Sequence, residues 1–409
     1  MEVVHARCAG LDVHPASVVA CVRVADGRRV ERPLKSFGTT TQERLRLVAW
    51  LESHGCTHVA MESSGGYWKP VWHVLEGHFE LVLANARHIR NMPGRKSDVN
   101  DVTWIADLLA HGLIRGSLVP PTEVRELRDL TRTHKQLTRE RAQHVQRIQK
   151  VLEDANVKLT GVVSDVLGQS GRAILEAMVA GERDPERLLE RTSGRLKASH
   201  AVLEEALRGN VTDHHRFMLR LPLGQIDALQ AAIAALEQRA KELLRPFRDV
   251  VERLTSMPGM SVTSAHVIVA EIGLDMSRFP TAGHLRSWAG LCPRLDMSAG
   301  KRLSNRTHRG CPWLKTLLVQ SAWAAMRHRE GYFHAQFLRL KSRRGPKKAI
   351  LAVAASMFSA VYYMLRDQAD YRDLGEDYFH RRDRTRLARN LVKRLRELGV
   401  EVHITPVAA

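Results

Sequence analysis

The sequence predicts a chain of two fold classes, an α/β N-terminal domain followed by all-α regions. Short β-rich runs alternate with helical patterns as far as Ala84, whereas from Pro121 onward apolar residues recur at helical spacings of three and four. A length of 409 residues allows two or three domains, each with its own core. The content of 44% hydrophobic and 26% charged residues is that of a globular chain.

The first β-rich run, 8–14, carries a single carboxylate, Asp12, near its end. A second run leads to an Asp-Gly pair at 26–27, a strong hairpin signal, and a third run follows at 30–37. Pro33 lacks an N–H donor, which places the third run at a sheet edge. Asp12 is therefore predicted on an inner strand, where it is either a fixed metal-binding carboxylate or only a strand end.

The next elements alternate helix and strand. Residues 40–43 (Thr-Thr-Gln-Glu) resemble a capping box, and Gly55 ends the helix that they start. The predicted apolar face of this helix consists of Leu45, Val48 and Leu51. The elements that follow are a strand at 57–62 that ends on Glu62, a helix at 67–76 and a strand at 80–84. A three-strand meander, helix, strand, helix and strand is the ribonuclease-H-like order of elements.

An acidic pair, Asp98 and Asp101, opens the following helix, which is predicted to reach Leu113. Their i, i+3 spacing puts both carboxylates on one face of the first turn, with Ser97 as N-cap. Carboxylates also complement the helix dipole there, so they are either ligands or simply the start of a helix.

In a ribonuclease-H-like fold, Asp12, Glu62 and the pair Asp98 and Asp101 converge at one end of the sheet. Four carboxylates repel one another unless a divalent cation neutralises them, and such oxygen ligands suit Mg²⁺ or Mn²⁺. Two such ions about 4 Å apart activate an attacking oxygen and stabilise a leaving one in phosphoryl transfer. The sequence therefore predicts a site for phosphoryl transfer in this domain.

Charge and cysteine content narrow the class of partner and the compartment. The formal charge of +19 and pI near 10.2 imply a polyanionic partner, with nucleic acid the first candidate. The five cysteines form no C-x-x-C pair, which indicates reduced thiols in a cytoplasmic protein. The N-terminus lacks the features of a signal peptide. Residues 349–365 carry no charge but fall short of a membrane span, which predicts a buried core helix.

Two long helices are predicted in the middle of the chain, at 121–159 and 224–244. The second has an apolar heptad seam, so the two are expected to pair with each other or with another subunit. The weakly patterned segment between them, 161–215, suggests a more mobile helical insert. This region either mediates assembly of several subunits or is a helical spacer, and the heptad seam favours assembly.

The third region begins at Pro258-Gly259 and continues through Ser261 into a small-residue helix. This pattern resembles a helix-hairpin-helix module, in which backbone N–H groups hold a DNA phosphate. Ser261 stands where the module usually has a second glycine, so a plain packing joint between helices is the alternative.

A small-residue, cationic loop follows, in which Ser298 is expected to be exposed among basic side chains. Such cations could hold a scissile phosphate and lower the pKa of a hydroxyl, although the local sequence also fits an ordinary turn. The cations are Lys301, Arg302, Arg306 and Arg309. Two basic segments, 338–348 and 380–396, are predicted to meet phosphate as well.

With these residues in view, the chain resembles the RuvC-like DEDD transposases of bridge-RNA-guided insertion sequences, relatives of the Piv invertase. The resemblance covers almost the whole chain. Its motifs are Gly-Leu-Asp12-Val-His, Met-Glu62-Ser-Ser-Gly, Lys-Ser-Asp98-Val-Asn-Asp101, Pro258-Gly259, Ser-Trp288-Ala-Gly-Leu-Cys-Pro293, Ser298-Ala-Gly-Lys and Arg309-Gly310-Cys-Pro-Trp313. The departures are Ser261 in place of a glycine and Cys311 where the family more often has Asn.

The resemblance implies a two-part active site. Asp12, Glu62, Asp98 and Asp101 would bind Mg²⁺, with Mn²⁺ possible, and Ser298 would attack a DNA phosphodiester. Contacts to nucleic acid would come from Lys96, Gly259, Lys301, Arg302, Arg306 and Arg309. The implied partners are donor and target DNA, an element-encoded bridge RNA and further copies of the chain, as a dimer or tetramer, in a prokaryotic cytoplasm at the nucleoid.

The implied domains are a RuvC-like ribonuclease-H-fold domain at 1–115, a helical coiled-coil region at 116–250, a C-terminal transposase domain at 251–375 and a basic tail at 376–409. Two other classes of function stay open. A metal-dependent, Holliday-junction-resolvase-like nuclease would use the carboxylates and water, without Ser298. A non-catalytic DNA-binding scaffold would need neither Asp12 nor Glu62.

Overall fold

The computed structural model describes residues 2–26, 29–63, 65–86, 89, 101–192, 198–294, 296–304, 306–307, 310–382 and 384–402. The chain divides into two compact units, Met1–Val119 and Pro120–Ala409. The first unit is mixed α/β and the second is almost entirely helical, as the sequence predicted. The finer division into four regions stays a prediction.

The first unit is built on one sheet with the strand order β3-β2-β1-β5-β6, and β4 also pairs with β2. Strands β1, β5 and β6 are parallel, and the β1-to-β4 part is antiparallel. The strands are β1 (Arg7–Val13), β2 (Val18–Asp26), β3 (Arg29–Glu31), β4 (Leu34–Phe37), β5 (His58–Glu62) and β6 (Glu80–Ala84). The described helices are α1 (Thr41–Ser53), α2 (Trp68–Leu75) and α3 (Asp101–Ala110).

The predicted hairpin is present, since Asp26 pairs with Arg29 across the turn. The third run, predicted as one strand at 30–37, is instead two short strands that both pair with β2. Pro33 lies between them, and its carbonyl accepts the N–H of Val22. A residue without an N–H interrupts the ladder, so the edge position was predicted correctly and the continuity was wrong.

Helix α1 begins and ends where the sequence places it. Thr40 caps it by accepting the N–H of Glu43, and Gly55 follows its end with a φ of +67°. The predicted apolar face was partly wrong, because Leu45 is 55% exposed while Leu47 is buried with Val48 and Leu51. Helix α3 ends at Ala110, three residues before the predicted end.

The second unit contains two long helices, a set of short helices and a C-terminal helical group. Its described helices are α4 (Thr122–Asp154), α5 (Leu159–Val162), α6 (Gln169–Ala180), α7 (Pro185–Glu190), α8 (His200–Leu207), α9 (Asp213–Leu244), α10 (Arg248–Thr255), α11 (Val262–Ile272), α12 (Ala282–Trp288), α13 (Pro312–Ala325), α14 (Tyr332–Arg344), α15 (Pro346–Arg366), α16 (Tyr378–Arg382) and α17 (Arg384–Glu397). A two-stranded hairpin joins α12 to α13, with strands β7 (Asp296–Ser298) and β8 (Lys301–Ser304).

The two long helices, α4 and α9, pack against each other, which was one of the two expected pairings. Helix α9 begins at Asp213 rather than at the predicted residue 224, and Pro222 lies inside it. A capping box formed by Thr212 and His215 fixes the earlier start. The prediction was wrong because a proline normally marks a helix boundary, whereas here Pro222 is buried within a continuous helix.

The segment between the long helices forms a core of its own with them. Buried side chains from α6 and α8 meet residues of α4 and α9 there, including Ile148, Ile174, Met178, Leu203 and Leu219. The weak pattern of the sequence therefore conceals four short helices that each bury a few residues.

Helix α15 was predicted as a core helix, and it packs between α12, α13 and α14. By length and composition it could span a membrane, but it buries ten side chains, with Phe358 fully enclosed. Burial within the unit explains why it carries no charge between Lys348 and Arg366.

Candidate active site

Asp12 and Glu62 lie on neighbouring parallel strands. The register pairs Gly10 with Ala60 and Leu11 with Met61, so Asp12 and Glu62 are the next positions on β1 and β5. Residues in register on adjacent strands are about 5 Å apart and point to the same face. The two carboxylates therefore share one face at the carboxyl end of the parallel strands, as the sequence predicted.

Helix α3 covers that same face and begins at that end. A Cβ on Gly10 would lie 2.4 Å from the carbonyl oxygen of Val102 and 2.7 Å from the backbone nitrogen of Ala106. The Cys8 thiol, one pleat earlier, contacts the Ala106 carbonyl oxygen at 3.5 Å. Along β1 toward Asp12, the contacts thus move toward the N-terminus of α3, where Asp101 is the first residue. The glycine is required because any side chain would push the helix away.

The structure thus brings three of the four predicted carboxylates to one end of the sheet. Nε2 of His14 also lies 3.0 Å from a carboxylate oxygen of Asp12. Asp98 and Lys96 lie outside the described residues. Within the described part of the chain, no three His, Cys, Asp or Glu side chains are grouped closely enough to hold a metal ion. The carboxylate oxygens of Asp12, Glu62 and Asp101 are donors of the type that Mg²⁺ prefers.

Ser298 lies at the tip of the β7–β8 hairpin, where the sequence predicted only a loop. It pairs with Lys301 across a two-residue turn made by Ala299 and Gly300. Both turn residues have positive φ, +47° and +74°, as a type I′ turn requires. Ala299 is an unusual residue for this conformation, which costs an alanine roughly 1 kcal/mol or more. The hairpin was missed because alanine gives no turn signal.

The tip of this hairpin is exposed and cationic. Ser298 and Lys301 are both exposed, as is Arg306 beyond the end of β8. The side chain of Arg302 and the whole of Arg309 lie outside the described residues. Two apolar side chains of the hairpin, Met297 and Leu303, are 59% and 70% exposed.

The base of the hairpin is closed by backbone contacts. The N–H of Arg294 donates to the carbonyl oxygen of Arg306 at 2.9 Å, and Pro293 bridges to Thr307. A Cβ on Gly310 would lie 2.2 Å from the backbone nitrogen of Gly290. Close backbone approach therefore explains the motif glycine Gly310, and this contact anchors the end of the serine hairpin to the end of α12.

Comparison with known proteins now identifies the family. Residues 9–157 match the DEDD family model for IS110, described as "Transposase", and residues 251–338 match the "Transposase IS116/IS110/IS902 family". Together the two models cover more than half of the chain. The chain belongs to the IS110 transposase family. The first model contains Asp12, Glu62 and Asp101, and the second contains Ser298.

Individual relatives of this transposase are similar at moderate identity. A Pseudomonas aeruginosa protein named "Probable family 20 transposase" is 26% identical over 66% of this chain and 71% of its own length. A Streptomyces coelicolor protein named "Insertion element IS110 uncharacterized 43.6 kDa protein" is 31% identical over 36% of this chain and 38% of its own length. A third relative, from Sinorhizobium fredii, is 27% identical over 60% of this chain and 58% of its own length.

One buried ionic cluster of this transposase was not predicted from the sequence. Glu271, on α11, is 1% exposed, and Arg132 on α4 grips its two oxygens at 2.7 and 2.8 Å. Arg128 lies 3.6 Å from the same carboxylate and donates to the carbonyl oxygens of Ala270 and Glu271. The Cys311 thiol, at the start of α13, contacts Glu271 at 3.4 Å. The only sequence signal was a lone glutamate in an apolar helix.

Burial and the charge of Glu271 set the ionisation of its partners. Burial lowers the pKa of Arg128, and by itself would lower that of Arg132, but the hydrogen bonds that Arg132 donates to Glu271 leave the pKa of Arg132 raised. Burial, with the nearby Glu271 carboxylate, raises the pKa of Cys311. The cluster ties the long helix α4 to α11 and to the start of α13, the helix that follows the serine hairpin.

Gly259 has a clear packing role. Its φ is +81°, and a Cβ there would lie 2.3 Å from the carbonyl oxygen of Ser321 on α13. Ser261 caps α11 by accepting the N–H of Ser264 at 3.1 Å. These contacts favour the packing-joint interpretation of this turn, and a phosphate contact at Gly259 stays a prediction.

Proposed function

We propose that this transposase cuts and rejoins DNA with Ser298 as its nucleophile, assisted by Mg²⁺ bound at Asp12, Glu62, Asp98 and Asp101. The observation that supports it most is the position of Ser298, at an exposed hairpin tip beside Lys301 and anchored at its base. A structural serine would instead be expected among buried or capping groups. The strand order of the first unit supports a RuvC-like fold for the carboxylate domain.

In the proposed reaction, Ser298 Oγ forms a bond to a DNA phosphorus while the bond from that phosphorus to the 3′ oxygen breaks. The hydroxyl proton of the serine ends on the leaving 3′ oxygen, so a phosphoserine link and a free 3′-OH result. The energy of the phosphodiester is kept in the link, and attack by another 3′-OH releases the serine. Donor and target strands are exchanged in this way.

The residues have distinct proposed roles. Asp12, Glu62, Asp98 and Asp101 hold Mg²⁺, which when bound would neutralise charge on the scissile phosphate. Lys301 holds a nonbridging phosphate oxygen and favours the serine alkoxide. We propose Arg302, Arg306, Arg309 and Lys96 as contacts to the DNA backbone. Mn²⁺ would occupy the same oxygen donors.

We further propose that a guide RNA supplies sequence recognition. The excess of positive charge, +19, suits a protein that grips phosphate backbones while base pairing reads sequence. Assembly of two or four copies would pass through the long helices α4 and α9, in a coiled-coil arrangement.

The test is capture of a covalent protein–DNA adduct. The purified protein is incubated with donor DNA, target DNA, guide RNA and Mg²⁺, then denatured and separated by size. Ser298→Ala is expected to abolish the adduct, whereas Ser53→Ala, at an exposed serine that ends α1, should retain it. If Ser298→Ala still cuts DNA at the wild-type rate, the nucleophile is water and the nuclease alternative holds.

A second pair of variants separates catalysis from scaffolding. Asp12→Asn and Glu62→Gln keep side-chain size while they remove the charge that a divalent cation requires. Both are expected to lose cleavage and adduct formation together. Unchanged recombination in both variants would refute the proposed catalytic role and favour the alternative of a non-catalytic DNA-binding scaffold.

A further inference from the structure

A cleft lined by aromatic side chains lies in the second unit, away from the serine hairpin in sequence. Its volume is about 350 Å³, and it is formed by the start of α14, one face of α15 and the segment that follows α15. Its principal lining residues are Tyr332, Phe333, Tyr363, Met364, Tyr371 and Leu374. This space is large enough for a nucleobase with part of its sugar.

The aromatic rings are held in fixed positions. Phe333 stacks on Tyr371, with ring centroids 5.6 Å apart and planes at 21°. Tyr363 is 48% exposed at the cleft, and the Arg366 guanidinium lies 4.8 Å from its ring centroid. This cation and the Tyr362 ring, whose centroid lies 5.3 Å away with the planes at 84°, restrict the Tyr363 ring. An exposed tyrosine fixed in this way is a stacking surface.

Two serines present polar atoms to the same cleft. Ser356 Oγ accepts from Nε2 of Gln336 at 2.8 Å, so its own hydroxyl hydrogen can donate to a ligand. Ser359 Oγ donates to the carbonyl oxygen of Ala355 at 3.0 Å and retains lone pairs that can accept. One donor and one acceptor beside stacked rings match the edge of a nucleobase.

The charges of the cleft argue against a cationic ligand. Asp367 is held by Arg366 through two hydrogen bonds, at 2.6 and 2.9 Å. Asp370 lies 3.6 Å from the Arg253 guanidinium, and Arg372 adds a positive charge to the lining. Each lining carboxylate thus has an arginine partner, so the cleft suits a neutral aromatic ligand better than a cation.

A path for phosphates leads away from the cleft along α14. This helix begins with Tyr332 and ends with Lys341, Arg343 and Arg344, about 15 Å further along its axis. Lys347 and Lys348 then stand exposed in the first turn of α15, where positive charge opposes the helix dipole. Helix stability does not explain these lysines, whereas an anionic strand would.

From these contacts we infer that the cleft binds an unpaired nucleobase of a single strand, whose phosphates continue along the basic end of α14. The base stacks on Tyr363, and Ser356 and Ser359 contact its edge. RNA and DNA share this chemistry. The site does not depend on Ser298 or on the carboxylates of the first unit, so it stands or falls separately from the proposed nucleophile.

The test is binding of short single strands to the full-length protein without Mg²⁺. Oligouridine and oligothymidine of eight nucleotides are compared with an abasic strand of equal length. Tyr363→Ala is expected to weaken binding of the base-containing strands by about 5- to 100-fold and to leave the abasic strand unchanged. Tyr363→Phe retains the ring and should bind as the wild type does. Whichever strand shows the larger loss identifies RNA or DNA as the source of the base.

The matched control is Phe217→Ala, which removes a 55% exposed ring from α9 and should not affect binding. Photocrosslinking with 5-iodouracil strands is expected to label the peptide that contains Tyr363. The inference is overturned if Tyr363→Ala binds uridine strands with wild-type affinity. It is also overturned if crosslinks fall only on other peptides. A competition test uses arginine amide as a cationic ligand and free uridine as a neutral one, and displacement of the strand by arginine amide alone would overturn the inference as well.

Discussion

Replacement of Glu271 by alanine is expected to be among the most destabilising single changes in the second unit. The carboxylate is 1% exposed and accepts two hydrogen bonds from Arg132, with Arg128 beside it. Its loss leaves the mostly buried Arg128 and the partly exposed Arg132 without this counter-charge. Removal of one partner of a buried ion pair typically costs about 3–5 kcal/mol.

That cost corresponds to a melting temperature lowered by about 5–8 °C for a unit of this size. The matched control is Glu252→Ala, which removes an exposed i, i+4 partner of Arg248 and should change stability far less than Glu271→Ala does. The assay is thermal and urea unfolding followed by circular dichroism.

A double variant tests the electrostatic reason. Glu271→Met combined with Arg132→Met removes both charges, so it should be more stable than Glu271→Ala alone. If Glu271→Ala is no more destabilising than Glu252→Ala, the buried cluster does not hold α4 to α11. If the loss of unfolding free energy in the double variant equals the sum of the losses in the two single variants, the two side chains do not act as a pair.

Three further predictions concern single residues. Gly10→Ala places a Cβ 2.4 Å from the Val102 carbonyl oxygen, so the first unit should lose about 1–3 kcal/mol or more in urea unfolding, and wild-type stability would contradict the packing. Burial and the charge of Lys241 lower the pKa of His266 in the folded protein. As the pH falls below 6.5, the usual pKa of histidine, the unfolded chain therefore binds more protons than the folded protein does. Stability should therefore fall as the pH drops through 6.5, and His266→Gln should flatten that dependence in unfolding curves at pH 5 to 8. Burial raises the pKa of the Cys8 and Cys56 thiols to about 12, so a thiol reagent at pH 8 should label them only after unfolding, and fast native labelling would refute their burial.

Elements that depend on local signals could be predicted from the sequence. The hairpin at Asp26, the end of α1 at Gly55 and the strand that ends on Glu62 follow from turn residues and β-rich runs. The sequence also predicted that Asp12 and Glu62 lie at the same end of the sheet, because parallel neighbouring strands have their carboxyl ends at the same edge.

Features that depend on distant partners could not be predicted. Pro222 lies within α9 because burial and the cap at Thr212 outweigh its local preference. The Glu271 cluster joins residues 139 positions apart, and a lone sequence holds no record of that contact. The turn at Ala299 adopts a left-handed conformation that alanine alone disfavours, so only tertiary structure reveals the serine hairpin.

The most direct measurement of the central claim is mass spectrometry of the protein–DNA adduct after protease and nuclease digestion. The account predicts a nucleotide phosphate on the peptide that contains Ser298, formed in wild-type protein and absent from Asp12→Asn protein. DNA that is cut and joined with no nucleotide on Ser298, or with the nucleotide on a different residue, would contradict it.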